Sequence, residues 1–212
     1  MSRKLKMVAL AVVAVTAFAA VSAASASAVL FHKTNMGNTT ISGGQVTQNE
    51  FTIPEGAVKC STASFTATTE ETTTETLTIT PTYTGCEFAA LGKNSAQVTM
   101  NGCVFVIHAN GVVDIECNGA GPIIVHASVA SVNKCTITIP QQTNIGTVTF
   151  TNNPDQSVTV HANVTNIVYE THEGTGAGRC PATTTPTVGG TYTGSVRVTG
   201  AIGGIEERIW VE

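Results

Sequence analysis

Apolar and polar positions alternate with period two along most of this chain, and that alternation predicts β-strands. Leu77, Ile79, Pro81 and Tyr83 interleave with Thr76, Thr78, Thr80 and Thr82. Cys135, Ile137 and Ile139 interleave with Thr136 and Thr138. Val158, Val160, Ala162 and Val164 interleave with Thr159, His161 and Asn163. Tyr192, Val196 and Val198 interleave with Thr191, Ser195 and Arg197. Each run has one apolar face and one wet face, as in an antiparallel sheet solvated on one side. β-branched Thr and Val suit such a pleated surface. Asn101-Gly102, Asn110-Gly111 and Asn118-Gly119 predict hairpins, because type I′ turns need the positive φ that Asn and Gly adopt most easily. Asn152 to Gln156 predicts a turn between the runs on either side. Beyond the leader no useful length carries helical periodicity. The expected fold is all-β: an antiparallel β-sandwich, Greek-key or jelly-roll-like, stapled by disulfides.

Residues 1–28 read as a secretory signal peptide. Arg3, Lys4 and Lys6 form a charged start, Met7 to Val21 an uncharged apolar stretch, and Ala26-Ser27-Ala28 an A-x-A cleavage pattern. The apolar stretch is short for a membrane span. The expected product is an extracellular protein with no membrane association after cleavage. Residues 29–57, with Gly43, Gly44 and Pro54, read as an N-terminal arm or edge strand, and 58–212 as a single β-sandwich domain. Without the leader, seven basic residues face fourteen acids, a net charge of −7. That balance argues against nucleic acid and anionic surfaces, which need basic patches. Thr62 to Thr84 holds twelve Thr in 23 residues, and its apolar alternation favours a wet strand face over a glycosylated stalk. Gly174 to Gly190, rich in Gly, Pro and Thr, reads as a flexible segment pinned by Cys180.

Six cysteines, Cys60, Cys86, Cys103, Cys117, Cys135 and Cys180, follow the leader. An even number in an exported chain points to disulfides. If Cys103, Phe105 and Ile107 share a core face with Val113, Ile115 and Cys117, a loop Ala109-Asn110-Gly111 sets Cys103 opposite Cys117. It also puts Gly111 where a bulge needs left-handed φ. A sequential scheme, Cys86–Cys103 with Cys117–Cys135, satisfies the count equally. In both schemes Cys60 is left with Cys180. The closest cysteines are 14 positions apart, which does not suit zinc.

Candidate chemistry is sparse. His108, His126 and His161 sit in similar phrases on the polar faces of three expected strands, and on adjacent strands they would converge on a metal. No carboxylates are placed to support them, and a solvated face accounts for each. Asp114 and Glu116, two apart on one face, suit calcium or glycoside hydrolysis in principle, but no aromatic sugar platform accompanies them. His172, beside Glu170 and Glu173, reads as a solvated loop residue. There is no G-x-S-x-G, no H-E-x-x-H and no phosphate-cradling Gly loop. No catalytic residue, cofactor site or metal site is assigned, and no enzyme activity is expected.

Several phrases resemble one group of proteins: Thr82-Tyr83-Thr84-Gly85-Cys86, Val98-Thr99-Met100-Asn101-Gly102-Cys103, the run from Cys135 to Thr143, and Tyr192-Thr193-Gly194-Ser195-Val196. They look like uncharacterised secreted, cysteine-paired β-rich proteins of actinobacteria. The resemblance implies export and paired cysteines, and no activity. The expected function is a non-enzymatic cell-surface, wall-associated or matrix structural or adhesion protein. Its expected partners are cell-wall or extracellular polysaccharide, or protein. The alternative is a secreted module for carbohydrate or a small ligand, with Trp210 and Tyr192 as candidate aromatic contacts.

Overall fold

The structure is a computed structural model that describes residues 29–89, 91–130, 132–174, 182–183 and 185–212. The leader at 1–28 and Cys180 lie outside these residues, as does 175–181 of the segment read as flexible. Described strands are β1 (Phe31–Lys33), β2 (Thr39–Ile53), β3 (Gly56–Thr69), β4 (Thr73–Thr74), β5 (Thr76–Phe88), β6 (Gly92–Thr99), β7 (Cys103–His108) and β8 (Val112–Cys117). There follow β9 (Ile123–Val129), β10 (Val132–Ile139), β11 (Gln142–Asn152), β12 (Val158–Glu173), β13 (Thr187–Ile202), β14 (Ile205–Glu207) and β15 (Ile209–Val211). No helix occurs among the described residues.

Strands β2, β3 and β5 pair antiparallel in chain order. Next to β5 the wall is carried by two short strands end to end. β6 pairs with its C-terminal half (Cys86↔Ala96) and β7 with its N-terminal half (Ile79↔Phe105). The pair β9 and β8 follows in the same way, and then β10 and β11. Strand β12 spans both halves, meeting β10 at Ile137↔Thr171 and β11 at Phe150↔Val160. β13 pairs with β12 on one side and with β2 on the other, so the ring closes.

The chain is therefore all-β and antiparallel, but it forms a closed barrel of eight wall positions rather than the expected sandwich. Alternation specifies one apolar face. It does not specify whether a sheet packs on a second sheet or curls until its ends meet. Here β2 and β13 satisfy each other's edges, which removes the need for a second layer. Residues 29–57 contribute β1 and β2, and β2 is a wall strand paired on both sides. Thr187–Gly190, at the end of the segment read as flexible, begins β13.

Of the three Asn-Gly pairs, Asn110-Gly111 joins adjacent antiparallel strands, with φ +91° at Gly111. Asn101-Gly102 has positive φ at both residues but lies between β6 and β7, which run in the same direction along β5. Asn118-Gly119 likewise lies between β8 and β9. The dipeptide fixes a local kink. Continued pairing to the neighbouring strand decides whether the chain reverses.

Cys103 bonds Cys117 in the register expected for that hairpin. Cys60 bonds Cys86, not Cys180, because β3 and β5 set these two residues directly opposite. The sequential pairing is thereby replaced. Cys135 is also disulfide-bonded.

On the wall strands most apolar side chains point inward and most Thr, Ser and Asn outward, the reverse of a membrane-spanning barrel, with Asn49, Thr39, Thr171 and Ser157 buried exceptions. A small sheet of β15, β1 and β4 covers one end, with Phe31 edge-on to Phe150 at 5.4 Å. Lys33 is buried in that cap and donates to Thr39 Oγ1 at 3.0 Å, to Thr69 O at 3.2 Å and to Gly37 O. Buried Glu207 accepts from the amide and the side chain of Asn35, both at 2.6 Å. At the other end Phe88, Tyr169 and Ile137 are at most 1% exposed, with Phe51 edge-on to Tyr169 at 6.4 Å.

Candidate functional site

Between these two ends the barrel holds a cavity of about 120 Å³, and a smaller one of about 40 Å³ lies under the cap beside Phe31, Phe150 and Trp210. Its wall is apolar: Phe65, Ile79, Val98, Met100, Phe105, Val160, Ala162 and Val196 among others. Several of these, including Val98, Phe105, Val160 and Val196, remain only half-buried although they share the inward phase of fully buried neighbours. Their remaining surface faces the lumen.

One polar chain is built into this apolar wall, its polar groups turned to one another. Tyr83 on β5 and Tyr192 on β13 bring their hydroxyls to 3.1 Å, and the Tyr192 hydroxyl donates to Asn49 Oδ1 at 2.6 Å. Asn49 Nδ2 donates to Gln45 Oε1 at 3.0 Å. Asn49 is 2% exposed. It lies on the inner face because β2 carries one extra residue between Gly44 and Asn49 relative to β3, and such a bulge re-aims a side chain. Gly194 on β13 leaves the space that Asn49 fills, since a Cβ there would lie 2.5 Å from Asn49 Oδ1. Burial pushes the Tyr83 hydroxyl well above its ordinary range, and the neighbouring Tyr192 adds to the shift. Burial likewise raises Tyr192, partly offset by its bond to Tyr83. Both phenols are neutral in this setting.

The wall is interrupted along one belt. The turn at Met100–Cys103, the segment Asn118–Pro122 and the Pro140–Gln141 joint lie side by side between β5 and β12. Side chains replace the missing ladder bonds there. Asn101 Nδ2 donates to Pro122 O at 2.8 Å, and Gln141 Oε1 accepts from the Cys117 amide at 3.3 Å. Gln142 exchanges two bonds with the backbone of Val168, at 3.0 and 2.8 Å. Met100, Ile123 and Ile139 flank this belt and line the lumen.

The residues singled out in the sequence do not assemble at this cavity. His108, His126 and His161 lie on β7, β9 and β12, no two of which are adjacent. The expected convergence fails because the broken wall strands set other strands between them. His126 contacts Thr136 Oγ1 at 3.2 Å and His161 contacts Ser195 Oγ at 3.0 Å. His108 pairs with Asp114 at 2.8 Å. The other Asp114 oxygen accepts from the Asn144 amide at 2.6 Å. Burial pushes the Asp114 carboxyl up, but the Asn144 and His108 hydrogen bonds and the His108 charge outweigh it and hold it below the usual range. This pair pins β7, β8 and β11 together. Glu116 is exposed opposite Val104 and does not join it. No cluster of three metal-ligating side chains occurs among the described residues. His172 Nε2 lies 3.7 Å from Glu170 at the surface.

Trp210 sits in the cap, stacked on His32 at 5.1 Å with the Arg208 guanidinium 5.0 Å from its ring. Tyr192 faces the lumen instead of solvent. Asn49 was not legible as a site residue, because its inward placement depends on a bulge. Tyr83 lay on the expected apolar face, yet nothing local marked its hydroxyl as part of a chain. Comparison with protein-family models, curated proteins and solved structures finds no match to this chain.

Proposed function

We propose that this protein is an exported, non-enzymatic barrel that binds one small, mainly apolar molecule in its lumen. The observation that carries the reading is the apolar cavity of about 120 Å³ with a single polar chain in its wall. Eight-stranded barrels are just wide enough to be filled by side chains or to hold one small ligand. A wall built only for stability would close such a space, since voids cost stability in proportion to their volume. A cavity of roughly 150 Å³ accepts a benzene-sized ring, so the expected occupant is of that order. The leader and the paired cysteines support export.

The test is a thermal melt across a panel of small apolar molecules. A ligand at about 100 times its Kd stabilises by about 2.7 kcal/mol. For a domain of this size that is a rise of roughly 5–10 °C in Tm. Uniform absence of any shift, with lumen-lining methyl resonances unmoved by saturating benzene or toluene, sinks the reading.

A second reading, wall or surface association, draws support from the outer face. Thr199, Ser42, Thr66 and Thr80 form one exposed row across β13, β2, β3 and β5. Thr40 beside Thr68, Ser64 beside Thr82, and Thr62 beside Thr84 extend it, with Arg197 on β13 in the Ser64 row. Such a hydroxyl surface suits contact with polysaccharide. Fractionating the native host distinguishes the two: retention on the washed envelope favours the wall, release into the medium favours a free carrier.

A further inference from the structure

We infer that the lumen is a site for unsubstituted hydrocarbons and rejects the same bodies once they carry a hydroxyl, amine, carbonyl or carboxylate. The inference rests on the reading that the lumen holds a ligand, and it narrows that ligand from mainly apolar to wholly apolar.

The surface that faces the void is carbon almost throughout, and no charged side chain, Ser or Thr is among its described lining residues. Asn49, Tyr83 and Tyr192 are the lining side chains with N–H or O–H groups, and they spend them within the wall. Tyr192 donates to Asn49 Oδ1, which leaves the Tyr83 hydroxyl to donate to the Tyr192 oxygen. Asn49 Nδ2 donates to Gln45 Oε1 at 3.0 Å and to Thr47 O at 3.4 Å. Gln45 Nε2 in turn donates to Ser61 O at 3.2 Å. The rings of Phe65 and Phe105 pack on Tyr83 and Tyr192 at 6.0 and 6.3 Å and hold the two phenols in place. Cys60 is spent in its disulfide, and the Met100 thioether is a weak acceptor. The wall strands use their backbone groups in the ladder that closes the ring.

A hydrocarbon entering this space gives up no hydrogen bond. A hydroxyl leaves its water partners and finds no replacement, so the lumen behaves as an alkane does. Transfer of a hydroxyl into an alkane costs about a thousandfold or more in partition. Where the new surroundings offer a partial hydrogen bond, as octanol does, the cost is at most about thirtyfold. A carboxylate fares worse, because no cation lines the void to meet it.

Toluene and phenol, rings of similar size, are titrated against the whole oxidised protein while the methyl resonances of the lumen are followed. Toluene is expected to bind more than about thirtyfold more tightly than phenol. A smaller ratio overturns the hydrocarbon assignment and leaves the ligand reading standing. Val98→Thr, nearly isosteric, sets a hydroxyl on the lining from β6. It is expected to restore phenol relative to toluene by several-fold to about tenfold, and an unmoved ratio overturns the assignment. Tyr83→Phe should leave the ratio where it is. A widened ratio there means that the ligand hydroxyl already had a partner, and it too overturns the assignment. If a variant does not fold, the wild-type ratio decides. Failure of toluene itself to bind the wild-type protein overturns the ligand reading.

Discussion

Ala162→Leu tests the lumen through the sign of its effect. Ala162 faces the cavity from β12, between Val148 on β11 and Gly194 on β13. The Asn49 side chain covers Gly194, so the room for a larger side chain at 162 is the lumen itself. Leucine adds three carbons. At about 0.8 kcal/mol per buried CH2 the gross gain is about 2.4 kcal/mol. Fixing the leucine rotamer costs roughly 0.5–1 kcal/mol. The net expectation is a stabilisation of about 1.5 kcal/mol, or a rise of roughly 3–6 °C in Tm. Thermal and urea unfolding of the oxidised protein read it, and toluene should lose its effect on the variant because its space is taken. If the wall were packed to ordinary density, the same substitution would overpack and destabilise by about 1–3 kcal/mol. A lowered Tm with an unchanged m-value refutes the cavity argument.

Removing the Cys103–Cys117 bond as Cys103→Ala/Cys117→Ala is expected to cost about 3 kcal/mol, for a sequence separation of 14. Removing Cys60–Cys86, with its separation of 26, should cost about half a kcal/mol more. Urea midpoints of the two double variants check the order. Burial raises the Glu207 carboxyl, but bonds from the Asn35 side chain and from the Asn35 and Thr34 amides, with the charge of Lys33, hold it below the ordinary carboxylate range. A depressed folded-state pKa stabilises above the unfolded pKa. That contribution is lost as pH falls below about 4.3 and through the folded value, at up to about 1.4 kcal/mol per pH unit. Glu207→Gln should flatten this part of the stability–pH curve, and an unaltered acid limb in chemical denaturation would count against the cap network. Gly194→Ala should cost about 1–3 kcal/mol through its approach to Asn49, and much less in an Asn49→Ala background, as a double-mutant cycle would show.

The sequence by itself determined which side chains face inward. The runs at 77–83, 135–139, 158–164 and 192–198 keep their expected phase, because a pleated strand turns alternate side chains to opposite faces whatever it pairs with. The sequence also offered the Cys103–Cys117 hairpin as one of two equal pairings, and the structure selects it because the short loop sets the two residues opposite. Cys60 and Cys86 are likewise set opposite across β3 and β5, but their connection is longer and includes β4, so local spacing did not select it. Tertiary structure decided the rest. Closure of β13 on β2 is a contact between residues more than a hundred positions apart, and no local pattern encodes it. The staggered breaks between β6 and β7, β8 and β9, and β10 and β11 depend on what lies alongside. So does the chain from Gln45 to Tyr83, whose members come from three strands and meet only because the barrel wraps them around one space. Alternation is a property of one strand; a cavity is a property of the ring that strands make together.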